Sequence, residues 1–250
     1  MKTYNFDQHW NENLSAEIPL MKKREAIRFL QPLFDYQKSR HPLYVLDAGC
    51  GDGVHIEIIE RSADTLEGSF FVGLDISLLA LRSLRKRGHT KCVFAQGDIG
   101  KMPFGDDHFD IVFSFGALAY TDNPFFSFSE LCRVARTGGY IGIWIYPKRS
   151  GIGGALFSLV RKVCQVSGLF CCRLIADCIV PFLGFLPTRS KMSLANASWR
   201  QCREVVLVNI APSQLYFPRP PEIEGWFAKN NVEIVWQDDK APVTIWGKKT

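Results

Sequence analysis

The stretch Val45-Leu46-Asp47-Ala48-Gly49-Cys50-Gly51-Asp52-Gly53 restricts this chain more than any other. An apolar run leads into three glycines at alternate positions, and a periodic segment, VHIEIIERS, follows. The first reads as a buried strand and the second as a helix, so the glycines form a strand-to-helix turn. Such a turn points backbone N–H groups and a helix N-terminus beyond the sheet, and glycine lets a ligand come close. The spacing narrows the ligand. A dinucleotide turn asks for a third glycine where Val54 stands, and no Gly-Lys-Ser/Thr follows as a phosphate-binding loop requires.

Two further segments continue the pattern. SFFVGLDIS reads as a second strand ending in Asp75, where a carboxylate can accept hydrogen bonds from both hydroxyls of a ribose. The same position can instead cap the helix SLLALRSLRKRG, a role Ser77 fills equally well. KCVFAQGDIGKMPF reads as a third strand ending near Asp98, which can accept from an exocyclic amine, with Ile76 and Ile99 placed to sandwich a flat ring. In series, the glycine turn, Asp75 and Asp98 compose a nucleoside site at the carboxyl ends of parallel strands.

These motifs carry a family resemblance. VLDAGCGDG, VGLDIS, AQGDIGKMPFGDDHFDIVFSFGALAYTDNP and LCRVARTGGYIGIWIYP, in order from Tyr44 to Pro147, resemble class I S-adenosylmethionine-dependent methyltransferases, in the group that includes the ubiquinone and menaquinone biosynthesis enzymes. EIEGWFAKNNVEIVW and APVTIWGKK resemble the family's last helix and last two strands. The resemblance implies a Rossmann-like α/β fold: a seven-stranded sheet with helices on both faces and a helical insertion after strand 5. It implies S-adenosyl-L-methionine as cofactor and roles for named residues. Gly49, Gly51 and Gly53 would line the methionine part, with Asp47 orienting its ammonium. Asp75 would hold the ribose, Ile76 the adenine face, Asp98 and the backbone of Ile99 the adenine edge. Ser114 and Phe115 would face the sulfonium. No metal is implied. The chain departs from the family in Leu118-Ala119-Tyr120-Thr121-Asp122-Asn123-Pro124, where two histidines are common, and at Asn231, where a glycine usually ends the last helix. Asparagine tolerates a left-handed cap, so that turn is expected to persist.

The 250 residues read as one domain. Residues 1–40, with the helical pattern LMKKREAIRFLQPLF, are expected to cover the cofactor site or the sheet edge. The strand–helix alternation stops after Pro147, and residues 148–221 read as a mostly helical insertion with two helices, ALFSLVRKVCQVSG and LFCCRLIADCIVPFLGFLP. In the first, Leu156, Leu159, Val160 and Val163 share a face and Arg161, Lys162 and Gln165 lie off it. The second is too interrupted by Arg173, Asp177 and Pro181 for a membrane span. Three uses compete for the insertion: a lid lining the acceptor pocket, a membrane-surface contact through residues 148–187, and a structural or dimer surface. The eight cysteines lack CxxC spacing, and the amino terminus has no apolar leader, so reduced thiols and a cytoplasmic location, free or peripheral to a membrane, are expected.

Methyl transfer from a sulfonium needs alignment and exclusion of water more than activation. Tyr120 is the expected contact with the acceptor, ahead of His108, Asp122 and Tyr146. The tip Ser114-Phe115-Gly116-Ala117 lacks both the Asn/Asp-Pro-Pro-aromatic run of base-amine methylation and the Pro-Cys of cytosine methylation. With a net charge of only +5, this argues for a small-molecule or lipid-like acceptor rather than nucleic acid. The alternative is a non-catalytic protein that binds S-adenosylmethionine on the same fold.

Overall fold

The computed structural model describes residues 20–37, 42–61, 68–89, 92–146, 148, 151–181, 199–212, 215–238 and 243–250. Helix α1 (Leu20–Gln37) precedes β1 (Tyr44–Ala48), α2 (Val54–Arg61), β2 (Phe70–Asp75), α3 (Leu78–Lys86) and β3 (Cys92–Gln96). Then come β4 (Phe109–Phe115), a single 3-10 turn (Leu118–Tyr120), α4 (Pro124–Val134) and β5 (Ala135–Ile145). Helices α5 (Gly151–Ile179), α6 (Trp199–Ile210) and α7 (Pro220–Lys229) lead to β6 (Val232–Asp238) and β7 (Val243–Lys249).

The seven strands are ordered β3-β2-β1-β4-β5-β7-β6. β1 to β5 pair in parallel, and β7 runs antiparallel between β5 and β6. The order reverses beside β1, so the turns after β1 and β4 open into the crevice where such sheets hold ligands. The strands alternate faces at a period of two, and both faces are apolar because both are covered. On one face Phe29, Leu30 and Leu33 of α1 meet Val45, Ile111, Phe113 and Trp246. Leu81 and Leu84 of α3 continue that layer against Ile56 and Phe94. On the other face Phe128 and Leu131 of α4 and Trp226 and Phe227 of α7 pack on Leu46, Val112 and Ile143. The Trp246 indole N–H donates to the Phe29 carbonyl at 2.9 Å, tying α1 to the last strand.

Local chemistry explains several boundaries. Ser77 caps α3, its hydroxyl accepting the Ala80 N–H at 3.2 Å. Asn123 caps α4, with Pro124 opening the helix. Asn231 adopts φ +54° after α7, the left-handed turn expected of it, and β6 and β7 form the closing hairpin. One expectation fails. The two helices predicted in the insertion are a single helix of 29 residues that runs through Gly168. A lone glycine costs about 1 kcal/mol in a helix interior, which the long contact with α6 offsets. The predicted helix beyond Pro181 and the first 19 residues of the amino-terminal segment lie outside the described residues.

Candidate cofactor site and acceptor rim

The glycine turn is built differently from a phosphate cradle. Gly49 and Cys50 both donate their N–H groups to the Leu74 carbonyl, at 2.7 and 3.0 Å. Gly51 N–H donates to Asp75 Oδ2 at 2.9 Å, and Gly53 N–H to the Cys50 carbonyl at 2.8 Å. The donors expected to point at a ligand are therefore engaged within the chain. The glycines also answer to the chain's own packing. Gly49 has φ +87°, and a Cβ there would lie 2.3 Å from Ala117 Cβ. Gly53 has φ +74°, and a Cβ there would lie 2.4 Å from Leu84 Cδ2. Left-handed backbone and close neighbours explain these two positions without a ligand.

What the turn leaves open is negative charge. Asp47, at the end of β1, is 3% exposed, and neither carboxylate oxygen has a hydrogen-bond partner among the described residues. The nearest cationic candidate, His55 Nδ1 in the first turn of α2, lies 3.4 Å from Asp47 Oδ2 without hydrogen-bond alignment. His55 is itself buried. Its ring contacts Phe29, Phe113 and Phe115 with centroids 5.9, 5.6 and 4.6 Å away, and its Nε2 has no partner. A buried carboxylate with both oxygens unsatisfied costs several kcal/mol unless a cation or a donor completes it. The site thus calls for a positively charged or N–H-bearing ligand group, and offers little to a phosphate.

Asp75 is 8% exposed and already accepts two hydrogen bonds, from Ser77 N–H at 2.8 Å and from Gly51 N–H. Burial pushes its carboxyl up, and these two backbone donors hold it partly down. Ile76 next to it is 56% exposed. Asp98 is exposed, with one oxygen accepting the Gly100 N–H at 2.8 Å. The Ile99 side chain, expected beside a flat ring, lies instead in the core, where its Cδ1 would sit 3.2 Å from a Cβ on Gly49. Ser114 is fully buried, and its hydroxyl has no hydrogen-bond partner among the described residues. Phe115, half-buried, stacks on Trp144 with centroids 4.2 Å apart and planes at 14°.

The turn after β4 meets the insertion. Tyr216 N–H donates to the Ala119 carbonyl at 2.8 Å and Lys148 N–H to the Pro218 carbonyl at 2.9 Å. Arg161, expected on a polar helix face, is buried: its guanidinium donates to the carbonyls of Asn209 (2.6 Å), Pro212 (2.9 Å) and Leu215 (3.3 Å) and lies over the Phe217 ring. Tyr120 is half-buried beside it; burial raises its phenol to about 12, with the Arg161 charge acting in the opposite sense. Tyr146 follows β5 with its ring edge on Trp144. His108 does not join them. It precedes β4, at the other end of the sheet, against Phe109 and Tyr44. Sequence reasoning missed His55, which looked like one more residue of an amphipathic helix, and misplaced Arg161. No group of metal-ligating side chains occurs among the described residues.

With this geometry in view, the comparisons with known proteins are specific. Residues 46–143 match the family model described as a methyltransferase domain. A malonyl-[acyl-carrier protein] O-methyltransferase of Hamiltonella defensa is 31% identical over 121 residues, 48% of this chain and 43% of that protein. A phthiotriol/phenolphthiotriol dimycocerosates methyltransferase of Mycobacterium tuberculosis is 31% identical over 135 residues, 52% of this chain and 49% of that protein. The matches thus span less than half the length of these relatives. Among solved structures, magnesium protoporphyrin IX methyltransferase from Synechocystis, with bound S-adenosylhomocysteine, superposes with a TM-score of 0.56 at 14% identity, over 98% of this chain and 94% of that one. The fold is that of the class I S-adenosylmethionine-dependent methyltransferases, and the segment that resembles the methyltransferase-domain model runs from β1 into β5.

Proposed function

We propose that this protein transfers a methyl group from S-adenosylmethionine to a lipid-like or small-molecule acceptor. The observation that carries the reading is the buried, unpartnered carboxylate of Asp47 beside the glycine turn. It fits the ammonium of the cofactor's methionine part, as no phosphate-bearing nucleotide would. Asp75 retains lone pairs for ribose hydroxyls, exposed Ile76 offers a face to adenine, and Asp98 keeps one oxygen for its amine. The Ile99 side chain packs in the core, and the buried Ser114 hydroxyl has no hydrogen-bond partner among the described residues.

When bound, S-adenosylmethionine supplies a methyl already activated by its sulfonium. The chain's own work is alignment and exclusion of water. Phe115 on Trp144 makes a rigid apolar wall beside the crevice, and the Leu118–Tyr120 turn, pinned by Tyr216, forms its acceptor side. Tyr120 stays a neutral phenol at physiological pH, so it donates a hydrogen bond to the acceptor and does not remove its proton. Residues 114–122 contain no histidine. The relative named for phthiotriol/phenolphthiotriol dimycocerosates supports a lipid-like acceptor, as does the motifs' likeness to the quinone-methylating group, and the relative named for malonyl-[acyl-carrier protein] supports a carboxylate-bearing one.

The test is transfer of labelled methyl into a lipid extract, with wild type and Asp47→Asn. Labelled product from the wild type, and cofactor affinity lowered tenfold or more (on the order of 1.5–3 kcal/mol) in a folded variant, support the reading. Cofactor binding that ignores Asp47→Asn contradicts the role given to that residue. Binding with no product from any fraction favours the non-catalytic alternative.

A further inference from the structure

We propose that the outward face of α5 docks on an anionic lipid bilayer. Helix α5 is apolar on two faces. Its inner face, with Cys164, Cys172 and Ala176, packs against Cys202, Val206, Leu207 and Ile210 of α6. Its outer face carries Ile152, Leu156, Leu159, Val163, Val166, Phe170 and Leu174, which are 44 to 90% exposed. The intervals of three and four residues place these seven side chains on one stripe, about 33 Å long. Isolated exposed leucines need no explanation, but a continuous stripe of this length marks a contact.

The charge beside the stripe says what that contact is. Lys162 and Arg173 are exposed, and their helical positions put both along one flank of the stripe. Residues 148–176 contain no Asp or Glu at all. Over residues 148–203 there are nine Lys and Arg against the single acid Asp177, a net +8, while the remainder of the chain carries −3. The protein's positive charge is thus concentrated in the segment that bears the apolar stripe. An apolar face with basic flanks is the pattern of a helix lying in the headgroup region of an anionic membrane. A second copy of the chain is the poorer occupant, because two stripes face to face would bring Lys162 and Arg173 of both copies together. Spanning is not required, and no helix among the described residues is long and apolar enough to cross. Of the three uses open to the insertion, the exposure of Leu156 and Leu159 on this stripe favours the membrane-surface contact. It stands apart from the methyl-transfer reading, and its test does not need turnover.

Cosedimentation of the full chain with phosphatidylglycerol–phosphatidylcholine vesicles, against phosphatidylcholine alone, gives the measurement. Binding to the anionic vesicles, weakening as salt rises, is expected. Val166→Ser with Phe170→Ser, and separately Lys162→Glu with Arg173→Glu, are each expected to lower binding roughly tenfold or more while thermal unfolding and S-adenosylhomocysteine affinity stay at wild-type values. Phe170→Trp provides a readout independent of these pairs: the emission it adds to that of the wild type shifts to the blue on anionic vesicles. Absence of vesicle binding, indifference to headgroup charge, or an unshifted added emission in the Phe170→Trp variant overturns the proposal. So does a concentration-dependent dimer abolished by Val166→Ser with Phe170→Ser, which assigns the stripe to a second copy.

Discussion

The cofactor end of the sheet and the helical insertion use buried polar groups in opposite ways. In the insertion, buried Arg161 is completed by three carbonyls of the chain itself. At the end of β1, buried Asp47 accepts no hydrogen bond among the described residues and has only the His55 ring 3.4 Å away. The first arrangement is finished structure, a cationic clip on the C-terminal end of α6 and the segment after it. The second is an unfinished one, and a buried charge left unfinished is a binding site in waiting.

The comparison can be broken most forcefully at Gly49. Gly49→Val adds a branched side chain at φ +87° into Ala117 and should destabilise the protein by about 3 kcal/mol or more, abolishing cofactor binding through loss of the turn. Urea denaturation checks this; a stable variant that merely fails to bind would return the glycine to a ligand-contact role. Next is Asp75→Ala, which strips acceptors from both Gly51 and Ser77 N–H. It should cost about 1–3 kcal/mol of stability as well as weakening the cofactor, so the two readouts move together.

Asp75 also sets a pH dependence whose sign follows from its burial. Its folded-state pKa lies above the unfolded value, so its protonated form is favoured by the fold. The contribution to stability is complete below the ordinary aspartate pKa of about 3.9 and is lost as pH rises through the raised folded value. Asp75→Asn should flatten that part of the stability-versus-pH curve, measured by denaturant titration without ligand. An unchanged curve would mean that other groups dominate there.

Arg161→Met sharpens the contrast between the regions. Removing hydrogen bonds from a charged donor should cost about 1.5–3 kcal/mol, with faster hydrogen exchange in α5 and α6. Affinity for S-adenosylhomocysteine should stay close to wild type, because the clip lies outside the cofactor end. A large loss of affinity would join the two regions into one unit. The smallest effect is expected from Tyr120→Phe, about 1 kcal/mol for one hydrogen bond, seen as altered acceptor KM or kcat with cofactor affinity intact. A lost limb in the pH–rate profile would instead make Tyr120 a base.

Much of the fold was legible because it repeats local signals: alternating strands and helices, a glycine turn, Ser77 at a helix start, Asn231 at a left-handed turn. Strand ends read from the sequence put Asp47, Asp75 and Ile76 at the carboxyl ends of β1 and β2, and the structure has them there. The purpose of Gly49 and Gly53 was not legible, because Ala117 and Leu84 reach them from elements distant in the chain. The Ile99 side chain was expected beside a flat ring but packs in the core, because a loop three residues past the end of β3 takes its direction from tertiary contacts that a motif does not carry. Arg161 and Lys162 are neighbours in sequence, and only the tertiary position of α6 decides which of them is buried. The outward stripe of α5 was read as an apolar face, but periodicity alone does not say which of two apolar faces meets the core.

The central claim is that this site selects a ligand bearing a cationic or N–H group beside a nucleoside, rather than a phosphate. Isothermal calorimetry of the full chain with S-adenosylmethionine, S-adenosylhomocysteine and NAD tests it most directly. The account predicts saturable binding of both thionucleosides, reduced tenfold or more by Asp47→Asn, and no competing NAD binding. Binding of NAD with no response to either thionucleoside would contradict it.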